Sequence, residues 1–242
     1  METYLLYFGV TLFFSTLFAM GGVGSAVALV SIFPMMGQSF NISKALALFI
    51  NTSSMISTSI MNIKRGVLDF KFAMPLVLSV LIATPIGAVL SQYVNHLFLH
   101  WLLICFLFIS ASLLLFGKKE AKTAYTKVWI LYVIGFCVGI ISGMLGVGGG
   151  SLIMPLLILL GFDVKKAAYA VSFVIPFSTF GAFLTYLQFV QMPWILLAVV
   201  TSAAILGGYL GGKIMYYRLN QAQVKKLIAV ILYLVAIKMI VQ

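Results

Sequence analysis

The sequence GMLGVGGGSLIMP, from Gly143 to Pro155, interrupts an apolar part of the chain with a cluster of glycines. Five glycines fall within the eight residues 143–150, where a membrane-spanning helix would otherwise continue. A glycine in a helix interior costs about 1 kcal/mol relative to alanine, so the cluster predicts that one helix ends and another begins. A helix that begins there presents unpaired N–H groups and the positive end of its dipole, an arrangement that favours an anion.

The composition is that of a membrane protein. Hydrophobic residues make up 63% of the chain and charged residues 8%, against about 45–50% and 25% in soluble domains. Several apolar runs approach the length of about 20 residues that a spanning helix needs. These features predict an all-α polytopic membrane protein of the plasma (inner) membrane.

Apolar runs separated by polar breaks predict five helical segments in each half of the chain. In the first half they are Tyr4–Met20, Val23–Gly37, Ser43–Ile63, Phe72–Tyr93 and Phe98–Phe116. In the second half they are Val128–Leu145, Gly150–Leu160, Lys165–Phe189, Trp194–Met215 and Gln223–Val241. A polar stretch, 118–127, is predicted to be a cytoplasmic linker between a first transmembrane repeat, 1–117, and a second, 128–242.

The second half resembles the first at an offset of about 122 residues. Lys44-Ala45 corresponds to Lys166-Ala167 at this offset, and Gly24-Ser25 corresponds to Gly150-Ser151 if the first copy holds about four extra residues between the two motifs. Because each copy has an odd number of segments, the two copies are predicted to be inverted relative to one another in the membrane. Eight to ten of the segments would then cross or re-enter the bilayer.

The positions of the basic residues support this arrangement. With ten passages and both termini outside, all 15 Lys and Arg except Lys44 and Lys238 fall on the cytoplasmic side, as the positive-inside rule expects. With only four passages in each half, the same charges would divide almost evenly between the two sides. This charge distribution fits either full passages or re-entrant hairpins at the glycine turns. Non-helical backbone at membrane depth must be buried or line a cavity, so both turns are predicted to face inward.

Several classes of function find no support in the sequence. The acidic residues, Glu2, Asp69, Glu120 and Asp163, all fall at a terminus or in a predicted loop, which argues against an intramembrane proton relay or sodium site. No catalytic triad, Cys-His pair or metal-ligand motif is recognisable, so we expect no enzyme activity, no catalytic residue, no metal and no cofactor. The net charge of +11 lies in short loops without interleaved aromatic residues, and nucleic-acid binding is not predicted.

Polar side chains in the third and eighth segments are candidates for a binding site. Hydroxyl and carboxamide groups donate neutral hydrogen bonds, which suit a dehydrated anion. The alternative is that they, and the glycines, only join packed helices. The predicted substrate-binding residues are Gly22, Gly24, Ser25, Asn51, Thr52, Ser54, Ser57, Gly148, Gly149, Gly150, Ser151, Ser172, Ser178 and Thr179.

At these residues the chain resembles the TauE/SafE family of membrane permeases, also described as sulfite exporters. The resemblance is strongest in the glycine run 143–150, in Pro155, and in Lys166-Ala167 at the start of the eighth segment. The first copy is similar but departs from the pattern, with Val23 and Ser25 where a triple-glycine run would have glycine. The resemblance implies transport of sulfur-containing or organic anions such as sulfite, sulfoacetate or other sulfonates, often as export.

The sequence therefore predicts a secondary transporter of small anions that works by alternating access between inverted repeats. A passive anion channel would use the same polar lining and is the alternative. The expected partners are a small anionic substrate and the lipid bilayer. The oligomeric state is left open, with a homodimer among the states allowed.

Overall fold

The computed structural model describes residues 2–116 and 128–240, and these residues form ten α-helices. They are α1 (Glu2–Ala19), α2 (Ala26–Met35), α3 (Phe40–Lys64), α4 (Phe70–Leu90), α5 (His96–Phe116), α6 (Val128–Leu145), α7 (Gly150–Leu159), α8 (Val164–Leu187), α9 (Trp194–Tyr217) and α10 (Gln221–Ile240). The predicted all-helical class is confirmed, and the predicted segments differ from these helices by only a few residues. The predicted linker, 118–127, lies outside the described residues.

Polar side chains set the starts of three long helices. Ser39 accepts a hydrogen bond from the backbone of Ile42 at the start of α3. Asp69 and Asp163 do the same at the starts of α4 and α8. Since a carboxylate near a helix N-terminus is also stabilised by the helix dipole, these two acids have a structural role.

Helix length separates two kinds of element. Six helices, α1, α3, α4, α6, α8 and α9, are long and apolar enough to cross a membrane by length and composition. By contrast, α2 and α7 have 10 residues each, about 15 Å at 1.5 Å per residue. This is half of the roughly 30 Å hydrocarbon core of a bilayer.

Side-chain contacts give the relative directions of the long helices. Thr52 of α3 meets Thr179 of α8, and Ser59 of α3 meets Ser172 of α8, so these two helices are antiparallel. In contrast, α1 runs parallel to α9 and α4 runs parallel to α6, with glycines at both interfaces. The pair α3 and α8 forms the centre of the fold.

Contacts in one half of the chain recur in the other half. A Cβ added at Gly87 would overlap the carbonyl oxygen of Ile140, and one added at Gly211 would overlap that of Thr16. Gly211 follows Gly87 by 124 residues, and Ile140 follows Thr16 by the same number, so the two contacts are equivalent. The same holds for helix pairing, because α1 packs on α9 as α6 packs on α4, and α3 packs on α9 as α8 packs on α4.

The glycine turns follow the same spacing and correct the register inferred from sequence. The backbone hydrogen bonds of Gly22-Val23 are repeated at Gly146-Val147, again 124 residues later. Ser25 then corresponds to Gly149, and each is the N-cap residue of its short helix. The sequence pairing of Gly24 with Gly150, an offset of 126, was two residues too long, because the extra glycine of the second copy drew the alignment toward Gly150. The pairing of Lys44 with Lys166, an offset of 122, was two residues too short, because Gly146 packs against Lys44 as Gly22 packs against Ala168.

Candidate functional site

Two glycine turns precede the short helices α2 and α7. Gly22 and Gly24 have φ angles of 68° and 80°, and Gly146 and Gly148 both have φ of 70°. In this left-handed region a residue with a side chain costs about 1–2 kcal/mol, so the backbone of each turn requires glycine.

Both turns lie against the side chain of Asn51, near the middle of α3. A Cβ at Gly24 would overlap Oδ1 of Asn51, and a Cβ at Gly148 would lie 2.9 Å from its Nδ2. At Gly150, a Cβ would lie 2.6 Å from the carbonyl oxygen of Val23. The starts of α2 and α7 therefore meet at the mid-length of α3.

From this meeting point the two short helices run to opposite ends of the molecule. The end of α2 is held by the Tyr7 hydroxyl, which donates to the carbonyl of Met36 at 2.8 Å, near the start of α1. Just beyond the end of α7, Phe162 packs on Phe72, near the start of α4, with ring centroids 4.5 Å apart. Both positive helix ends thus lie at the centre, and both negative ends lie away from it.

Asn51 is fully buried, and neither Oδ1 nor Nδ2 has a hydrogen-bond partner. The hydroxyl of Ser54, one helical turn further on, is also buried and unpaired. A buried polar group without a partner costs about 1–3 kcal/mol. A purely structural contact would leave that cost uncompensated, whereas a bound ligand would accept hydrogen bonds from both groups.

Hydroxyl groups of α8 complete the cluster beside Asn51. The hydroxyl oxygens of Thr52 and Thr179 lie 2.7 Å apart and join α3 to α8. The hydroxyl of Ser178 accepts a hydrogen bond from the N–H of Gly149 at 3.4 Å. We call Asn51, Thr52, Ser54, Ser178 and Thr179, with the two glycine turns, the central cluster.

Some residues predicted for the site lie elsewhere. Ser57 is half-buried and lines a groove of about 530 Å³ between α3 and α9, among exposed apolar side chains. Ser172 accepts a hydrogen bond from Nδ2 of Asn62 at 3.0 Å, seven residues or about 10 Å along α8 from Thr179. Neither belongs to the central cluster.

The remaining predicted residues flank the glycine turns. Gly22 packs against the backbone of Ala168. Ser25 is buried, and its hydroxyl lies 3.2 Å from that of Ser15. Ser151 lies in the first turn of α7, and its side chain is outside the described part of the chain.

Lys44 was counted with the outside charges, at the start of the predicted third segment, but it is a fully buried residue of α3. Its ammonium donates to the carbonyl of Met144 at 3.3 Å. The ring centroids of Phe40 and Tyr186 lie 4.7 and 5.4 Å from Nζ. Lys44 and Asn51 are seven residues apart on α3, and this spacing in the sequence indicates that both lie on one face of the helix.

Tyr186 closes the structure around Lys44. Its hydroxyl lies 3.1 Å from the carbonyl oxygens of both Gly143 and Met144 and donates to them. The same hydroxyl is 2.8 Å from Oγ of Ser91 at the end of α4. Helices α3, α4, α6 and α8 are thereby tied together on this side of the central cluster.

A cavity lies at the opposite end of the α3–α8 pair. Its volume is about 640 Å³, and it lies between the α3–α4 and α7–α8 connections. Lys71 and Lys166 contribute to its lining. The central cluster lies buried between this cavity and the closed Lys44 end.

In the described part of the chain, ten helices, six of them long and apolar enough to span a bilayer, surround a buried polar centre, as in a polytopic membrane protein. The family described as "Sulfite exporter TauE/SafE" matches residues 7–239. The chain belongs to this family of membrane transporters.

Two proteins of Bacillus subtilis (strain 168) are similar to the chain. "Probable membrane transporter protein YunE" is 28% identical over 203 residues, which cover 75% of this chain and 72% of that protein. "Probable membrane transporter protein YdhB" is 26% identical over 208 residues, which cover 80% of this chain and 81% of that protein. Both names agree with transport across a membrane.

Proposed function

We propose that this protein is a secondary transporter of a small sulfur-containing or organic anion, such as sulfite or the sulfonate sulfoacetate. One observation carries the proposal: two helix starts converge on Asn51, whose buried amide has no partner. The substrate would bind at the central cluster and be released after the two halves of the chain move relative to one another.

The chemistry of the central cluster suits an anion. Each helix start carries about half of an elementary positive charge, and its first N–H groups have no carbonyl partner within the helix. Asn51 Nδ2 and Ser54 Oγ add unpaired donors. The carboxylates of the described residues, Glu2, Asp69 and Asp163, are all at helix starts remote from the cluster.

The arrangement of the helices supports alternating access between inverted repeats. The central helices α3 and α8 are antiparallel, and contacts recur at a spacing of 124 residues, as a two-fold relation between the halves would produce. Because Asn51 is buried, an ion reaches it only when helices separate. A moving carrier meets this requirement more directly than a permanently open pore.

Asn51→Leu tests the site. Loss of a hydrogen bond to a charged ligand, about 1.5–3 kcal/mol, would lower transport by roughly 10- to 150-fold. The melting temperature should stay equal or rise, since no internal hydrogen bond is lost. The measurement is counterflow of labelled sulfite, sulfoacetate and acetate in proteoliposomes, with thermal unfolding of the purified variant.

Ser110→Ala is the matched control, because Ser110 is another buried, unpaired hydroxyl, located on α5 away from the cluster. It should leave transport unchanged. If Asn51→Leu transports any of the three anions at the wild-type rate, the assignment of the central cluster as the substrate site is overturned. Ohmic single-channel currents without trans-stimulation would replace the transporter with an anion channel.

A further inference from the structure

Lys44 is the buried charge that the proposed function does not yet use. Its side chain has no exposed area, and no carboxylate of the described residues pairs with it. Its partners are one carbonyl oxygen and two aromatic rings. Burial of a charge with only neutral partners is unfavourable by several kcal/mol, because desolvation is only partly compensated.

The position of Lys44 connects it to the central cluster. Seven residues separate Lys44 from Asn51, which is two turns of α3 or about 10 Å along one face. Its carbonyl partner, Met144, precedes Gly148 by four residues, in the stretch that leads into the second glycine turn. A Cβ at Gly146, in that turn, would lie 2.7 Å from Cγ of Lys44. Lys44 therefore touches the turn whose other end contacts Asn51.

The two ends of the α3–α8 pair differ at this position. Gly146 packs against Lys44, and the equivalent Gly22 packs against Ala168. The contact recurs at the spacing of 124 residues, but only the first copy has a charge in it. In the second copy, Ala168 is sufficient to pack against the glycine turn. Packing alone therefore does not explain why position 44 carries an ammonium group.

We propose that Lys44 is the cation that pairs with the anionic substrate as it passes between the central cluster and the end where α2 meets α3. This inference rests on the proposed function and names a specificity-determining residue for it. The ammonium exchanges the Met144 carbonyl for an oxygen of the anion. A charged partner forms the stronger hydrogen bond, and the exchange frees the backbone that leads into the second glycine turn.

Three variants separate charge from structure. Lys44→Gln keeps a donor for the Met144 carbonyl but removes the charge, and Lys44→Arg keeps the charge. Lys213→Gln removes an exposed lysine of α9 and is the control. KM and maximal rate of labelled sulfite, sulfoacetate and acetate uptake into proteoliposomes are measured for each variant, together with the melting temperature with and without the anion.

The expected result is a KM raised about 10-fold or more in Lys44→Gln, near-normal KM in Lys44→Arg and in Lys213→Gln, and loss of anion-induced stabilisation only in Lys44→Gln. Equal KM in Lys44→Gln and the wild type, while Asn51→Leu is inactive, overturns this inference and leaves the proposed function standing. If only charged residues at position 44 give folded protein, Lys44 is a structural cap of α6 and the inference is also overturned. A wild-type protein that moves none of the three anions overturns both.

Discussion

Adjacent glycines in the second turn have different physical roles. Gly148 has φ of 70°, and a Cβ there would overlap the side chain of Thr179. Gly149 has φ of −63° and ψ of −11°, which any residue adopts. A Cβ at Gly149 would meet the flexible end of Ile153 at 3.0 Å, on the side of α6 and not of Asn51. The triple-glycine run thus combines a conformational requirement with a more tolerant position.

This difference predicts that two neighbouring substitutions change stability by different amounts. Gly148→Ala should destabilise the protein by more than about 1–2 kcal/mol, the cost of the left-handed conformation alone. Gly149→Ala should change stability by less than about 1 kcal/mol. The native backbone there suits alanine, and alanine lowers the conformational entropy of the unfolded chain, which offsets the tight contact with Ile153. Thermal unfolding of the purified variants measures both. Equal losses would show that close packing, and not backbone conformation, determines the need for glycine here.

At single residues, helical phase could have refined the predicted site. Ser57 follows Asn51 by six residues, which rotates it by about 240° at 3.6 residues per turn, so it points away from the cluster. Ser54 is rotated by only about −60° and stays with Asn51. The burial of Lys44 could not be predicted, because a lysine at the start of a spanning segment has the pattern of a solvent-exposed residue. Only the packing of α6 and α8 around it removes it from solvent.

Two parallel helix pairs depend on glycine for their close approach. Gly87 lies on the carbonyl of Ile140 between α4 and α6, and Gly211 lies on the carbonyl of Thr16 between α1 and α9. Small residues let backbones approach closely in membranes, where hydrophobic burial between helices contributes little. The two contacts are equivalent at the 124-residue spacing.

Gly87→Ala and Gly211→Ala should therefore cause similar losses, about 1–3 kcal/mol each, because the added methyl forces the helices apart. Gly9→Ala on α1 is the control, since nothing lies within 4 Å of a Cβ there, and it should be neutral or stabilising. Thermal unfolding in detergent provides the comparison. A loss confined to one of the two interfaces would contradict their equivalence.

At the level of helices, the sequence predicted most of the fold because apolar runs and glycine breaks are local signals. The polar caps at Ser39, Asp69 and Asp163 place the starts of α3, α4 and α8 one to three residues before the predicted starts at Ser43, Phe72 and Lys165. The depth of the glycine turns is not a local property, so parity alone left surface turns and buried turns both open. Contact of both turns with Asn51, in the middle of α3, places them at mid-length of the long helices.

The whole molecule is asymmetric along the α3–α8 pair despite its recurring contacts. One end is tied by Lys44, Tyr186 and Ser91, and the other contains the cavity of about 640 Å³. Under the proposed mechanism, opening of the Lys44 end requires release of the Tyr186 contacts.

The orientation of the halves can be tested by labelling. Lys71→Cys and Gln191→Cys place thiols at exposed positions beyond opposite ends of the α3–α8 pair. In a protein whose native free cysteines, Cys105 and Cys137, are replaced by alanine, we expect an impermeant reagent to label Gln191→Cys in intact cells. Lys71→Cys should be labelled only after permeabilisation, as the positive-inside rule expects.

Glu2→Cys extends the labelling test to the N-terminus. Because α1 runs parallel to α9, Glu2 lies at the same end as Gln191 and should be labelled from outside. Labelling of Lys71→Cys and Gln191→Cys from the same side would exclude the inverted arrangement.

The meeting of α2 and α7 at their positive ends has an electrical consequence. Because the two short helices run from the centre to opposite ends, their dipoles oppose one another across the membrane. The components of the two helix dipoles along the membrane field cancel. At the centre, the two helix N-termini together act as about one elementary positive charge. Membrane voltage therefore exerts little net force on this pair of helices when the site is empty. With a singly charged anion such as acetate at the proposed site, the centre would be nearly neutral, and the voltage dependence of transport would come from the residues and ions around it.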